Sequence, residues 1–141
     1  MDRNYLLLLL LMISMVQLII MSHQHGEYRE RDFSETLTIQ FENITEVKMS
    51  DLEGNYRSTT EPEIINKLIQ HFNDFHYKRL VNDQTAYMPL KTRMIYLYEG
   101  DKVNFIIPYG KEVMIDNMVY QVKGGEIDEA VMQEVYGSLV E

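Results

Sequence analysis

Few residues in this chain are of types and spacings that could do chemistry. His23-Gln24-His25, with Glu27 two positions on, is the only close pair of histidines. An H-x-H pair supplies two imidazoles, whereas a zinc site needs three or four ligands held in fixed geometry. No metal site is therefore assigned. His71 falls beside Leu68 and Phe72, off the main apolar stripe of its segment, and is expected as a surface histidine; His76 lies just past that segment. With no cysteine, the chain lacks a disulfide framework, a thiolate metal site, a cysteine nucleophile and a lipid-anchoring cysteine. No G-x-S-x-G, H-E-x-x-H or phosphate-binding glycine loop occurs. The glycine pair Gly124-Gly125 runs into Glu126, Asp128 and Glu129, which repel phosphate.

Carboxylates are abundant: 22 Asp and Glu stand against 13 Lys and Arg, for a net charge of −9. A general acid and base pair needs two carboxylates in one cleft with separated pKa values. Here most sit at turns and helix starts. The sequence assigns no catalytic residue and no cofactor, and a hydrolase using a carboxylate site is only a third reading. The acidic excess argues against nucleic acid, whose phosphates require clustered Lys and Arg.

One surface stands out. The segment Asn82–Leu90 is longer than a strand connection needs and carries Tyr87, Met88 and Leu90, preceded by Lys78-Arg79. Aromatic residues, Met and Arg favour interfaces, so Lys78, Arg79, Tyr87, Met88 and Leu90 form a candidate recognition surface. The plain alternative is that Tyr87, Met88 and Leu90 cover an open edge of the core. A pocket between the sheet and residues 82–90 would suit a small-ligand sensor or carrier.

These residues must be positioned by one small domain, because 141 residues leave room for little else. Tyr5–Met21 is uncharged and apolar save for Ser14, Gln17 and the Tyr5 hydroxyl. As a helix its 17 residues cover about 25 Å, which suits a signal-peptide core or a short single span. The following Ile20-Met21-Ser22-His23-Gln24-His25-Gly26 lacks the small-residue pattern of a signal peptidase site. Residues 1–21 are accordingly expected as an uncleaved membrane anchor, with secretion as the outcome if the segment is cleaved. A short N-terminal tail before a long C-terminal domain places that domain outside the cell. Residues 22–32 read as a polar tether, and residues 33–141 as an extracytoplasmic domain.

Within that domain, Thr60-Glu61-Pro62-Glu63 predicts a capping box opening a helix with Ile64, Ile65, Leu68, Ile69, Phe72 and Phe75 on one stripe. A second helix is predicted from Ile127 to Leu139. Period-two alternation marks Thr92–Tyr98 and Lys102–Tyr109, joined at Gly100-Asp101, with Glu99 facing Lys102, Tyr98 facing Val103 and Tyr96 facing Phe105. This register gathers Met94, Tyr96, Tyr98, Val103, Phe105 and Ile107 on one face, several tyrosines turning to the core, and leaves Ile95, Leu97 and Ile106 beside Asn104 on the other, which is expected to be partly covered too. Asp116-Asn117 predicts a second tight turn pairing Ile115 with Met118. Pro108 is expected at a sheet edge or bend. Further strands are expected at Leu37–Phe41, Ile44–Met49, Asn55–Thr59 and Tyr77–Val81. The sum is an α+β fold: an antiparallel, mostly meandering sheet with one packed helix and a C-terminal helix.

Ile44-Thr45-Glu46-Val47 with Gly54, Thr59-Thr60-Glu61-Pro62, Tyr77-Lys78-Arg79, Ile95-Tyr96-Leu97-Tyr98 and Val119-Tyr120-Gln121-Val122 together give a further pointer. With the terminal helix, this pattern resembles small Gram-positive (Firmicutes-type) cell-envelope proteins classed as domains of unknown function. Many of those are lipoproteins, whereas this chain has no cysteine after its apolar run. The resemblance implies an envelope location and carries no activity and no site residue. The function expected is non-enzymatic binding of a protein or envelope component by a membrane-anchored domain.

Overall fold

The computed structural model describes residues 3–84 and 90–140. Helix α1, Arg3–Glu27, has none of its residues buried in the fold. Its 25 residues reach about 37 Å at the helical rise. It is long and apolar enough to cross a membrane or to serve as a signal sequence. The stretch expected as a tether takes up structure. Ser22–Glu27 prolong α1, and strand β1, Glu30–Arg31, pairs antiparallel with β4, His76–Arg79.

The remaining strands are β2 (Glu46–Ser50), β3 (Tyr56–Thr59), β5 (Ile95–Glu99), β6 (Lys102–Pro108), β7 (Glu112–Ile115) and β8 (Met118–Lys123). Among the described residues they form one eight-stranded antiparallel sheet in the order β1-β4-β8-β7-β6-β5-β2-β3. The central four strands are a meander, as expected. The β2-β3 hairpin extends one side, and β4 with β1 extends the other. Helices α2, Pro62–Asn73, and α3, Glu129–Gly137, complete the α+β fold.

Both tight turns take their expected registers. Glu99 faces Lys102 and Ile115 faces Met118. Asp116 and Asn117 both have positive φ, 48° and 68°, the requirement of a type I′ turn that Asp and Asn tolerate. Pro108 ends interior strand β6 where the chain bends into the turn toward β7, so the bend is observed and the edge is not. Its missing donor does no harm there, because Tyr109 N–H closes the turn onto the Glu112 carbonyl at 2.8 Å.

Three local expectations are corrected. Leu37–Phe41 is not a strand but irregular chain between 3-10 turns at Phe33–Thr36 and Phe41–Asn43. The backbone donors there are taken by side chains: Asn104 Oδ1 accepts from Thr38 and Ile39, both at 3.1 Å, and Glu99 accepts from Gln40 at 3.2 Å. The capping box at Thr60 does not form. Pro62 occupies the first helical position, so the cap falls on Glu61, and Thr59 Oγ1 accepts the Glu61 N–H at 3.0 Å.

The third correction concerns the faces of the sheet. Ile95, Leu97, Ile106, Val113, Ile115, Tyr120 and Val122 join Ile65, Leu68, Ile69 and Phe72 of α2 in the core. The helices therefore cover the face that includes Asn104, and Tyr96, Tyr98, Val103 and Phe105 lie on the other face. Asn104, 0 % exposed, is acceptable in the core because its amide is fully engaged, donating to Thr38 Oγ1 at 3.0 Å and to the Asp116 carboxylate. A buried amide with all its partners costs little; one without them costs a great deal.

The far side of β3 is covered by the chain's own end. Ser58 and Val140 exchange backbone hydrogen bonds of 2.9 and 3.0 Å, shielding an edge that would otherwise invite pairing with other chains.

Candidate functional site

The residues singled out from sequence do not come together as one surface. Lys78 and Arg79 are consecutive on β4, so the pleat sends them to opposite faces. Lys78 is exposed and flanks the groove beside His25 and Tyr28 at the end of α1. Arg79 is half-buried and engaged: Nε and Nη2 donate to the Asp83 carboxylate at 3.0 and 2.8 Å, and Nη1 pairs with Glu27. Those hydrogen bonds raise the Arg79 pKa and hold the Asp83 carboxyl below its usual range, helped by Val119 N–H donating to Asp83 at 3.0 Å. Leu90 is fully exposed. Tyr87 and Met88 lie outside the described residues.

Arg79 belongs instead to a junction between α1 and the sheet. Arg31 Nη2 donates to the Glu27 carbonyl, and its guanidinium lies 5.8 Å from the centre of the Tyr120 ring. Cations at a helix C-terminus satisfy its last carbonyls and complement its dipole. Two arginines thus tie the end of the apolar helix to β1, β4 and β8. His23 and His25 lie on this part of α1, two positions apart and so about 200° around the helix. Among the described residues no cluster of three or more metal-ligating side chains occurs.

Two other places concentrate features of a site. The first is the sheet face turned away from α2 and α3. Tyr56, Tyr96, Tyr98 and Phe105 form a ring cluster across β3, β5 and β6, with centroid separations of 6.2 Å for Tyr56–Tyr96, 6.4 Å for Tyr96–Tyr98 and 5.0 Å for Tyr96–Phe105. Lys48 Nζ sits 5.0 Å from the Tyr56 ring centre. The Tyr56 hydroxyl donates to Met94 Sδ at 3.2 Å, and partial burial, then the neighbouring Tyr96, raises its pKa. Tyr56 is 39 % exposed and Val103 43 %, so the cluster reaches solvent at this end of the face. Toward β8, Ile107, Met114 and Val119 are cross-strand neighbours on the same face, Ile107 and Val119 being buried.

The second is a cleft of about 430 Å³ between the start of β5 and the start of α3, lined by none of residues 82–90. Arg93 lines it and is only 1 % exposed. Its Nη1 donates to the Ser50 carbonyl at 2.9 Å, and its Nη2 to Glu129 at 2.5 Å and Gln133 at 2.9 Å. The guanidinium also lies 5.3 Å from the Tyr136 ring centre. Nε has no partner, and neither does the buried hydroxyl of Tyr109, which lines the same cleft. Burial raises the Tyr109 pKa, with the Glu112 charge adding to it. Asp128 caps α3 by accepting Ala130 N–H at 2.8 Å, and its own N–H donates to His71 Nε2 at 3.2 Å. His71 is therefore half-buried and joins α2 to α3 rather than facing only solvent.

Sequence reasoning passed over Arg93, although one signal was present: period two puts it on the face of Ile95 and Leu97, where it must either find a counter-charge or leave that face open. Tyr109 is marked by the alternation only as the last residue of the strand Lys102–Tyr109. No protein-family model, curated protein or solved structure matches the chain.

Proposed function

We propose that α1 is an uncleaved single-span anchor, that the domain stands outside the cell membrane, and that it is a non-enzymatic module binding an envelope protein or other envelope component through the tyrosine face. The observation that carries this reading is the ring cluster Tyr56–Tyr96–Tyr98–Phe105 on a sheet face that neither α2 nor α3 covers. Rigid aromatic side chains offer large contact area at low entropic cost and are enriched at binding hot spots. Retention of the anchor is supported by the lack of an A-x-A-like small-residue pattern after the apolar run, where Ser22 is flanked by Ile20, Met21 and His23, and by the two arginines holding the end of α1. The acidic domain, with 18 acidic and 10 basic residues from Phe33 onward, has little attraction for an anionic lipid surface, leaving its face free for another partner.

The test uses the full chain in its own membranes, with a C-terminal tag and a photo-crosslinking residue at position 103. External protease should remove the membrane-bound tag, and illumination should give a discrete adduct that Tyr96→Ala abolishes without lowering thermal stability. A protected tag overturns the orientation, a released soluble tag overturns the anchor, and no discrete adduct overturns the binding face.

A further inference from the structure

Just beyond the apolar run, the end of α1 and the β1–β4 pair enclose an open groove of about 550 Å³. Met21, Gln24, His25 and Tyr28 line it from the helix side; at positions i, i+3, i+4 and i+7 they share one face. Glu30 and Lys78, opposite each other in the β1–β4 register, line it from the sheet. The remaining lining residue, Arg29, is paired with Glu35. Among the described residues, the side chains of His25, Tyr28, Glu30 and Lys78 have no hydrogen-bond or ion-pair partner, and all but the half-buried Tyr28 are exposed.

The depth of this groove is set by α1. With Tyr5–Met21 in the hydrocarbon, Gln24 stands about 4.5 Å and Tyr28 about 10 Å past its edge, while the headgroup layer is about 5–8 Å thick on each side. An apolar run shorter than the hydrocarbon draws these residues further in. The domain is held at this level. Only Tyr28 and Arg29 separate α1 from β1, and Arg79 and Arg31 grip Glu27 by its carboxylate and its carbonyl. Unpartnered donors and one unpartnered carboxylate are thereby fixed among lipid headgroups.

From this we infer that the groove seats the headgroup of an amine-bearing phospholipid, of the phosphoethanolamine class. Its phosphodiester oxygens accept from the Lys78 ammonium, the Tyr28 hydroxyl and the His25 ring N–H, and its primary ammonium donates to the Glu30 carboxylate. Met21, at the hydrocarbon edge, meets the start of the acyl chains. Lys78 and Glu30 present opposite charges side by side, and Arg29 is neutralised by Glu35. That arrangement complements a zwitterion better than a purely anionic headgroup, and a zwitterion brings no net charge against the acidic domain. The inference rests on α1 remaining in the membrane; it holds on either side of that membrane and whether or not the tyrosine face binds a partner.

The experiment is native mass spectrometry of the full chain, purified from its membranes in detergent micelles and titrated with single lipids. Dioleoylphosphatidylethanolamine should give a one-lipid adduct, dioleoylphosphatidylglycerol a weaker one, and dioleoylglycerol, which has no phosphate, none. Lys78→Ala should weaken both phospholipids about fivefold, the worth of one cation at a lipid surface. Glu30→Gln should weaken the ethanolamine lipid alone and so erase the preference. Both residues are exposed, so the melting temperature should not move, and Lys102→Ala at the β5–β6 turn should change nothing. The inference is overturned if the two phospholipids bind equally, if dioleoylglycerol binds as well as they do, or if Lys78→Ala leaves the adduct intact. Displacement of the lipid by millimolar O-phosphoethanolamine would assign the groove to a soluble phosphate and overturn the lipid. The polypeptide mass separates the two failures: a chain lacking its first 21 residues overturns the anchor, whereas a full-length chain without an adduct overturns the groove alone.

Discussion

The side-chain oxygen of Asn104 accepts the backbone N–H of Ile39 at 3.1 Å, across 65 positions of sequence. The same oxygen takes the Thr38 N–H, and the amide nitrogen reaches Thr38 Oγ1 and Asp116. One asparagine in the middle of β6 thereby replaces the ladder that Leu37–Phe41 would otherwise need, and it links that segment to the type I′ turn.

Asn104→Leu keeps the volume but leaves the buried Ile39 amide, and the Thr38 amide beside it, without their acceptor. A loss of about 3 kcal/mol is expected, read by chemical denaturation, against a small change for Val103→Thr on the opposite face. Equal losses at the two positions would remove the special role of Asn104.

Gly125 touches the α2 side of the fold. A Cβ there would come 2.7 Å from Phe75 Cε1, and the residue's φ is +155°. Gly125→Ala should cost about 1–3 kcal/mol. Combining it with Phe75→Leu should recover part of that loss, giving a favourable coupling in a double-mutant cycle. Strictly additive losses would show that the ring is not the obstacle.

Arg93 carries its charge into the core and depends on Glu129, whose side chain is half exposed, for neutralisation. Glu129→Ala should lower stability by about 2 kcal/mol, whereas the double change Arg93→Met with Glu129→Ala should restore much of it, because an apolar pair needs no desolvated charge. If the double variant is no more stable than Glu129→Ala alone, the buried charge is not the source of the cost.

The Asp83 carboxyl is held below its usual range, first by the Arg79 hydrogen bonds and then by burial-opposed help from the Val119 N–H. A depressed folded value means that its contribution is complete above the unfolded value of about 3.9 and is lost as pH falls through the lower folded value. Asp51 and Glu99 are depressed in the same direction by the amides that donate to them. Thermal stability should therefore decline below about pH 4, and Asp83→Asn should shallow that decline. An unchanged acid limb in Asp83→Asn would exclude the Arg79–Asp83 link as a contributor.

The helix-capable N-terminal run, α2, the two hairpins and their registers were legible in the sequence, because each is set by local periods and turn residues. Gly100 and Asp116-Asn117 supply positive φ, and Ile65, Leu68, Ile69 and Phe72 repeat at helical spacing. The choice of covered face was not legible. Both faces of β5 and β6 are apolar, so alternation gives the pairing without saying which side receives the helices. The candidate site suffered from the same limit: Lys78 and Arg79 are neighbours in sequence, but the pleat separates them.

By itself, the sequence determined a membrane-capable helix followed by an acidic α+β domain, since length, hydropathy and period act over a few residues. Only the tertiary structure decided that Asn104 is a core residue, that Arg93 is buried opposite Glu129, that the tyrosines line the far face, and that a cleft opens beside α3. Asn104 and Arg93 depend on partners 66 and 36 positions away, Thr38 and Glu129, and a polar side chain's place is decided by whether such partners arrive to satisfy it.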